Sequence, residues 1–459
     1  MADKPSPTIE SKSQLIEAIS RGNKPKSDWR IGTEHEKFTF YRDDHRPVPY
    51  EGENGIGALL DKVQAETAWL PYYDRDKVIG LNNPLGGGAI SLEPGGQFEL
   101  SGAPLETIHQ TCTEANEHLK LLRKFTEPMG IDFLGIGVTP TWTLGDIPLM
   151  PKSRYGIMKP YMEKVGTLGT SMMFRSATVQ VNLDFASEAD MVRKMRVSLA
   201  LQPVATALFA NSPFLDGKPN GLLSFRSHIW LNTDKDRTGM LPFAFEDGMS
   251  FERYVDYALD VPMYFVIRNG EYINCAGESF RAFLDGKLPQ LPGELPTARD
   301  WEDHLSTLFP EVRMKQFLEM RGADGAPWQG ICALPAFWVG LLYDETALDA
   351  AWDLVKDWTE EERQALRNDV PRLALKTPFR NGTLFDIAKQ ALAIARSGLK
   401  ARNKLNWEGA DETVFLKPLD YTIETGKTPA ERLLDLYHGE WSGDLNRVFS
   451  DYGMARHAA

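Results

Sequence analysis

Residues 91–104 read SLEPGGQFELSGAP. The stretch consists of two strand arms around a break. In the second arm Gln97 and Glu99 point to one side, and Phe98 and Leu100 to the other. Pro94-Gly95-Gly96 interrupts the run and sets Glu93 across a tight turn or bulge from Glu99. A second acidic pair lies upstream in WRIGTEHEKFTF, residues 29–40. Glu34 and Glu36 alternate with His35, so they share a sheet face with Gly32 and Phe38. Pairing of the two stretches brings four carboxylates together. At an effective dielectric near 20, two such charges ~4 Å apart repel by about 4 kcal/mol. A cluster of that kind is stable only with some carboxyls protonated or with cations bound.

Around this centre the pattern predicts an α+β fold, a sheet with helices to one side and a helical C-terminal part. Residues 105–129 read as an amphipathic helix, with Ile108, Cys112, Ala115, Leu119, Leu122 and Phe125 on one stripe. Residues 131–138 read as a buried strand. Residues 177–185, ATVQVNLDF, alternate apolar with Thr178, Gln180, Asn182 and Asp184, as in an antiparallel sheet with one polar face. Residues 189–209 read as a helix kinked or broken at Pro203. Residues 224–231 read as a strand with Arg226 and His228 on one face. A hairpin over 264–275 turns at Asn269-Gly270, and 288–297 is a proline-rich loop. Residues 314–323 read as one strand carrying Phe317, Glu319 and Arg321 together. From residue 344 onward the pattern is helical. The expected organisation is one large domain over 1–459, with the sheet cradle in 1–343 and the helical part in 344–459.

Composition narrows the function. The 64 acidic residues outnumber 51 basic ones, for a net charge of −13. That argues against a general nucleic-acid or anionic-membrane surface. The longest apolar run, residues 331–343, is too short to span a bilayer. The N-terminus is polar and shows no secretory signal, which predicts a cytosolic protein. Three scattered cysteines and eight histidines show no zinc-ligand spacing. The glycine run at 86–88 lacks the P-loop pattern, and so does Gly426-Lys427-Thr428, where Tyr421 stands in place of the first glycine.

One polar sheet face then offers Glu34, Glu36, Glu93, Glu99, Gln180 and Glu319, with Arg154, Arg175, Arg226 and Arg321 in or beside it. Hard oxygen ligands suit Mg²⁺, which shares its octahedral shell with substrate phosphates. Arginine forks suit phosphate or carboxylate. Together they point to ATP-dependent phosphoryl transfer onto an acid. Taken singly, each has a plainer reading. Alternating charges also describe a solvated sheet face, Glu319 with Arg321 a structural ion pair, and Cys112 a core thiol.

Six segments carry a more specific resemblance: IGTEHEKFTF (31–40), SLEPGGQFELSGAPLETIHQTC (91–112), RYGIMKPYM (154–162), TVQVNLDF (178–185), FRSHIWLNTDKDR (225–237) and LEMRGADGAPWQGICALPAFWVGLLYDE (318–345). In order and over nearly the whole chain, they resemble the glutamate–cysteine ligase family, in the group shared by plants and proteobacteria. The resemblance implies a glutamine-synthetase-like fold, a curved and mostly antiparallel sheet cradle with helices on its convex side. It implies ligation of L-glutamate to L-cysteine with ATP, through a γ-glutamyl phosphate, as the first step of glutathione synthesis. A related glutamate–amine ligase with another acceptor, or a non-catalytic glutamate- or nucleotide-binding regulator, is the alternative.

The resemblance also assigns roles. Glu34, Glu36, Glu93, Glu99 and Glu319, with Gln180, would bind two or more Mg²⁺. Arg226 and Arg321 would act in catalysis, and Arg154 and Arg226 would bind substrate; Arg175 is expected to bind substrate from its place beside the polar face. Because an acyl phosphate must be kept from water, the 264–275 hairpin and the 288–297 loop are expected to cover the site. Cys112 and Cys332 match a redox pair of the family. Cys275 matches half of a second pair whose partner position holds Gln290. The assembly would be a monomer or homodimer.

Overall fold

The computed structural model describes residues 6–454. Its centre is β1 (Ile31–Tyr41), which pairs with three other strands along its length. The other strands of the sheet are β2 (Leu70–Asp74), β3 (Lys77–Asn82), β4 (Ala89–Leu92), β5 (Phe98–Ser101), β6 (Ile131–Leu134), β7 (Thr178–Leu183), β8 (Val312–Met314) and β9 (Leu318–Asp324). Their order is β8-β9-β7-β1-β5-β4-β3-β2, with β6 added to the far end of β1. Every pairing in this nine-stranded sheet is antiparallel. The alternation in residues 29–40 and 177–185 and the glycine break at 95–96 are the local causes. They let β1, β5 and β7 bury one face and keep polar groups on the other.

Seven helices matter for the site and its support: α1 (Ile108–Thr126), α2 (Tyr155–Val165), α3 (Glu188–Leu208), α4 (Phe225–Leu231), α5 (Trp328–Leu342), α6 (Leu384–Arg402) and α7 (Lys417–Thr425). α1 starts at a capping box. The Gln110 N–H donates to Thr107 Oγ1 at 3.2 Å, and the Thr107 N–H donates back to Gln110 Oε1 at 3.0 Å. It buries the predicted stripe from Ile108 to Leu122. α1, α3 and α5 pack on β1, β9 and β7. α5 and α6 approach to backbone contact: a Cβ at Gly340 would lie 2.2 Å from the Ala395 carbonyl oxygen. One continuous apolar core runs from Ile9 to Met454. No single helix among the described residues is long and apolar enough to cross a membrane.

Several local expectations are corrected. Residues 224–231 form helix α4, because the Ser224 hydroxyl accepts the Ser227 N–H at 3.1 Å and caps a helical turn. Arg226 and His228 therefore do not share a face. Residues 314–323 are two arms, β8 and β9, since the Lys315 N–H bonds the Phe317 carbonyl at 2.9 Å and reverses the chain. Phe317 thus sits in a turn rather than beside Glu319. The strand expected over 131–138 stops at Leu134. α3 continues through Pro203 to Leu208, so the proline does not break it.

Candidate active site

The polar face of the sheet floors a cleft of about 490 Å³. Register puts the acidic residues there. Glu36 stands opposite Glu99 across β1–β5, and Ser91 opposite Glu99 across β4–β5. Glu34 stands opposite Gln180 across β1–β7. Glu93 faces Gln97 rather than Glu99: its N–H donates to the Gln97 carbonyl at 3.0 Å, and it reaches the cleft from the turn. That turn needs both glycines. A Cβ at Gly95 would lie 2.2 Å from the Phe174 carbonyl oxygen, and Gly96 has φ +81°. Gln97 pins the turn, accepting from the Gly95 N–H at 2.9 Å and donating to the Ser176 carbonyl at 2.8 Å.

The floor is electrostatically loaded. Glu99 accepts from the Ser91 hydroxyl at 2.7 Å and the Ser101 hydroxyl at 2.8 Å. Glu34 accepts from Asn182 at 2.8 Å and Gln180 at 3.2 Å. Burial, then the charges of Glu319 and Glu99, still push its pKa up to about 7. Burial, then Glu93 and Glu99, hold the Glu36 carboxyl well above the usual range, although its Oε2 accepts the Thr178 N–H at 3.0 Å. The buried oxygens Gln180 Oε1 and Asn182 Oδ1 accept no hydrogen bond. Unpaired hard oxygens beside strained carboxylates, with no cysteine or histidine in the cleft lining, fit Mg²⁺. Among the described residues no three His, Cys, Asp or Glu side chains gather tightly enough to enclose one ion. An ion here would therefore share its shell with substrate oxygens and water.

The arginines divide into three groups. Arg226, on the first turn of α4, donates from Nη2 to the Arg321 carbonyl at 3.0 Å. Burial lowers its pKa, against the pull of Asp324 and Glu36. Asp324, fully buried, accepts from Ser212 and Ser224 hydroxyls, both at 2.7 Å, and so ties the start of α4 to the end of β9. Arg154 lies 4.0 Å from the Glu93 carboxylate. Arg226 and Arg154 each keep a buried Nε without an acceptor. Arg321 lines the cleft together with Arg313, and both bind Glu319.

Two predicted residues stand elsewhere. Glu319 is fully buried, does not line the cleft, and gives its oxygens to Arg313 at 2.7 Å and to Arg321. Burial disfavours its charge, yet Arg313, Arg321 and Lys315 hold its carboxyl well below the usual range. Arg175 donates to the Trp142 carbonyl at 2.6 Å and pairs with Asp216, outside the cleft lining.

Sequence reasoning missed Lys152, Arg313, Asn182, Ser91 and Ser101. Lys152 lines the cleft, and burial, with Arg154 nearby, lowers its pKa to about 8. Ser101 and Asn182 carried a usable signal, since each lies two residues from a chosen strand residue. The hairpin of Phe265–Arg268 and Glu271–Asn274 puts Phe265 and Tyr272 into the cleft wall. Its turn residues Asn269 and Gly270 both have positive φ. The 288–297 loop does not line the cleft. It braces the hairpin instead, with Glu294 3.2 Å from Arg268. Cys112 of α1 and Cys332 of α5 are joined by a disulfide, their Cα atoms 5.6 Å apart. Cys275 is a free, buried thiol.

Known proteins share this chain's sequence and fold. The model of glutamate–cysteine ligase family 2 matches residues 30–451. The chloroplastic glutamate–cysteine ligase of Medicago truncatula is 59% identical over 441 residues, 96% of this chain and 85% of that protein. The chloroplastic enzyme of Arabidopsis thaliana is 58% identical, over 96% of this chain and 82% of its own length. A crystal structure of glutamate–cysteine ligase from Francisella tularensis in complex with AMP has a TM-score of 0.54 at 13% identity, covering 94% of this chain and 89% of its own. That likeness concerns the fold alone. The expected cytosolic location is corrected, because the relatives are chloroplastic proteins. The polar composition of the first residues, on which that expectation rested, does not distinguish one compartment from another. With its family model and its relatives agreeing over almost the whole length, the chain belongs to the glutamate–cysteine ligase family.

Proposed function

We propose that the cleft holds ATP and L-glutamate side by side, and that its carboxylate floor and arginine wall activate the γ-carboxylate for attack by L-cysteine. Membership of the family gives the overall reaction: ATP-dependent formation of γ-glutamylcysteine, the first step of glutathione synthesis. The observation that carries the mechanism is the opposed pair Glu36 and Glu99, with Arg226 and Arg321 lining the same cleft.

A γ-carboxylate oxygen attacks the terminal phosphorus of ATP, and ADP leaves with the electrons of the broken P–O bond. The cysteine amine then attacks the acyl carbon as its free base, the C–O bond breaks and phosphate departs. Glu34, Glu36, Glu93 and Glu99, with Gln180, would hold Mg²⁺, which would supply positive charge to offset the phosphate oxygens. Arg226 and Arg321 meet the charge that spreads over the transferring group. Arg154, beside Glu93, receives a substrate carboxylate in the planar fork that guanidinium offers. Glu319 acts at one remove. It fixes the forks of Arg313 and Arg321 where they line the cleft. The hairpin wall of Phe265 and Tyr272 keeps water from hydrolysing the acyl phosphate.

Trapping tests this order of events. Enzyme, ATP, magnesium and glutamate are incubated with hydroxylamine and without cysteine. The expected products are γ-glutamyl hydroxamate and ADP, and added cysteine lowers the hydroxamate yield. AMP and pyrophosphate as products would overturn phosphoryl transfer in favour of an adenylate.

A further inference from the structure

A second cavity, of about 620 Å³, lies where α1, α5 and α7 meet, and it shares no lining residue with the cleft. Its walls are mainly apolar, built from side chains such as Leu134, Leu208, Phe209, Leu419 and Leu433, and the Cys112–Cys332 bridge forms part of them. A volume of this size is in the range that encloses a small organic ligand.

The polar groups in the lining are one-sided. Lys417 and Arg432 are its only charged residues, and no Asp or Glu lines it. In a chain with 64 acidic residues, these two cations form no ion pair among the described residues. Arg432 donates from Nη1 to the Lys427 carbonyl at 2.6 Å and stacks over Tyr421, with its guanidinium carbon 5.1 Å from the ring centre. Those contacts satisfy hydrogen bonds; the one nearby carboxylate that attracts the guanidinium, Glu431, is itself paired with Lys376 at 2.6 Å. Trp328 adds a buried indole N–H without an acceptor. An apolar interior, a half-buried Arg432 and an exposed Lys417 at its rim without ion pairs, and an unused donor suit a ligand with an apolar body and an anionic, hydrogen-bond-accepting end.

We propose that this cavity is a second ligand site, distinct from the ligase cleft, for a small amphipathic monocarboxylate. The hydrocarbon part fills the Leu–Phe interior, and the carboxylate is held by Lys417 and Arg432. A neutral molecule of the same shape would form no ion pair with either cation and so bind more weakly.

The test uses the full chain and decanoate as the probe, with decanol as its neutral counterpart, followed by titration calorimetry. The expected result is one saturable decanoate site per chain, unaffected by saturating ATP and glutamate. Lys417→Gln, on the exposed rim, should weaken decanoate at least tenfold and change decanol little. The Lys417→Gln/Arg432→Gln pair should weaken it further. Val414→Trp, which fills the cavity from its lining, should abolish binding while ligase turnover persists. Absence of saturable binding would overturn the proposal. So would equal affinity for decanoate and decanol, which would make the cavity an apolar hole only. Displacement by ATP, or unchanged binding to Val414→Trp, would place the probe elsewhere.

Discussion

Glu36 and Glu99 stand directly opposite each other on neighbouring antiparallel strands, Glu99 buried and Glu36 half-buried on one floor. Like charges in that register destabilise a sheet unless a proton or a cation intervenes. Glu36→Gln and Glu99→Gln should therefore separate function from stability. Ligation at saturating magnesium should fall to background in either variant. Thermal melting of the metal-free protein should stay level or rise, because one of the repelling charges is gone. Near-normal turnover in one variant would remove that residue from the metal-binding set.

Arg226 offers a sharper test of geometry. Its guanidinium is buried, bonded to the Arg321 carbonyl, and left with an unused Nε. Arg226→Lys keeps the charge and loses the planar fork. We expect kcat/KM to drop by about two orders of magnitude, the scale of one lost transition-state donor. Retention of most activity would reduce Arg226 to a source of charge.

The parts of this molecule legible in its sequence are those set by period-two alternation. β1, β5 and β7 announce their polar faces residue by residue, and Gly95-Gly96 announces the turn between β4 and β5. α4 is not legible as a helix, because seven residues are too few to display helical periodicity. Only the cap at Ser224, anchored by Asp324 from a strand a hundred residues away, decides it. The metal role of Glu319 is what the family resemblance implies, and its sequence neighbours show only Arg321 beside it. Its second partner, Arg313, comes alongside only when β8 folds back on β9. Arg175 illustrates the same limit: its partner Asp216 lies in a distant loop.

Glu319→Gln distinguishes the two roles for that residue. As a metal ligand its neutralisation would leave the metal-free protein as stable as before. As the buried anion between Arg313 and Arg321 its loss strands two guanidinium groups without their counter-charge. Breaking a buried pair in this way costs about 3–5 kcal/mol. We expect urea unfolding without magnesium to show a loss on that scale. Activity should fall as well, since both arginines lose their orientation. Unchanged unfolding would return Glu319 to the metal set.

His304 makes the stability of the fold depend on pH away from the cleft. It is buried in the helix Ala298–Ser306, where its Nε2 donates to the Ala258 carbonyl at 2.8 Å, and it packs against Phe280 and Trp301. Burial lowers its pKa from 6.5 to about 4, with Arg237 adding to the shift against the pull of the carbonyl. The unfolded chain thus binds a proton that the folded chain refuses between those two values. The contribution of His304 is complete above pH 6.5 and is lost as pH falls toward 4, up to about 3 kcal/mol for a shift of this size. Carboxylates elsewhere also titrate in this window, so the useful quantity is a difference. His304→Phe keeps a ring against Phe280 and Trp301 but loses the bond to Ala258. In urea unfolding the variant should be less stable than the parent at pH 7, with the gap closing or reversing by pH 4.5. Parallel stability curves for parent and variant would show that His304 does not carry the acid sensitivity.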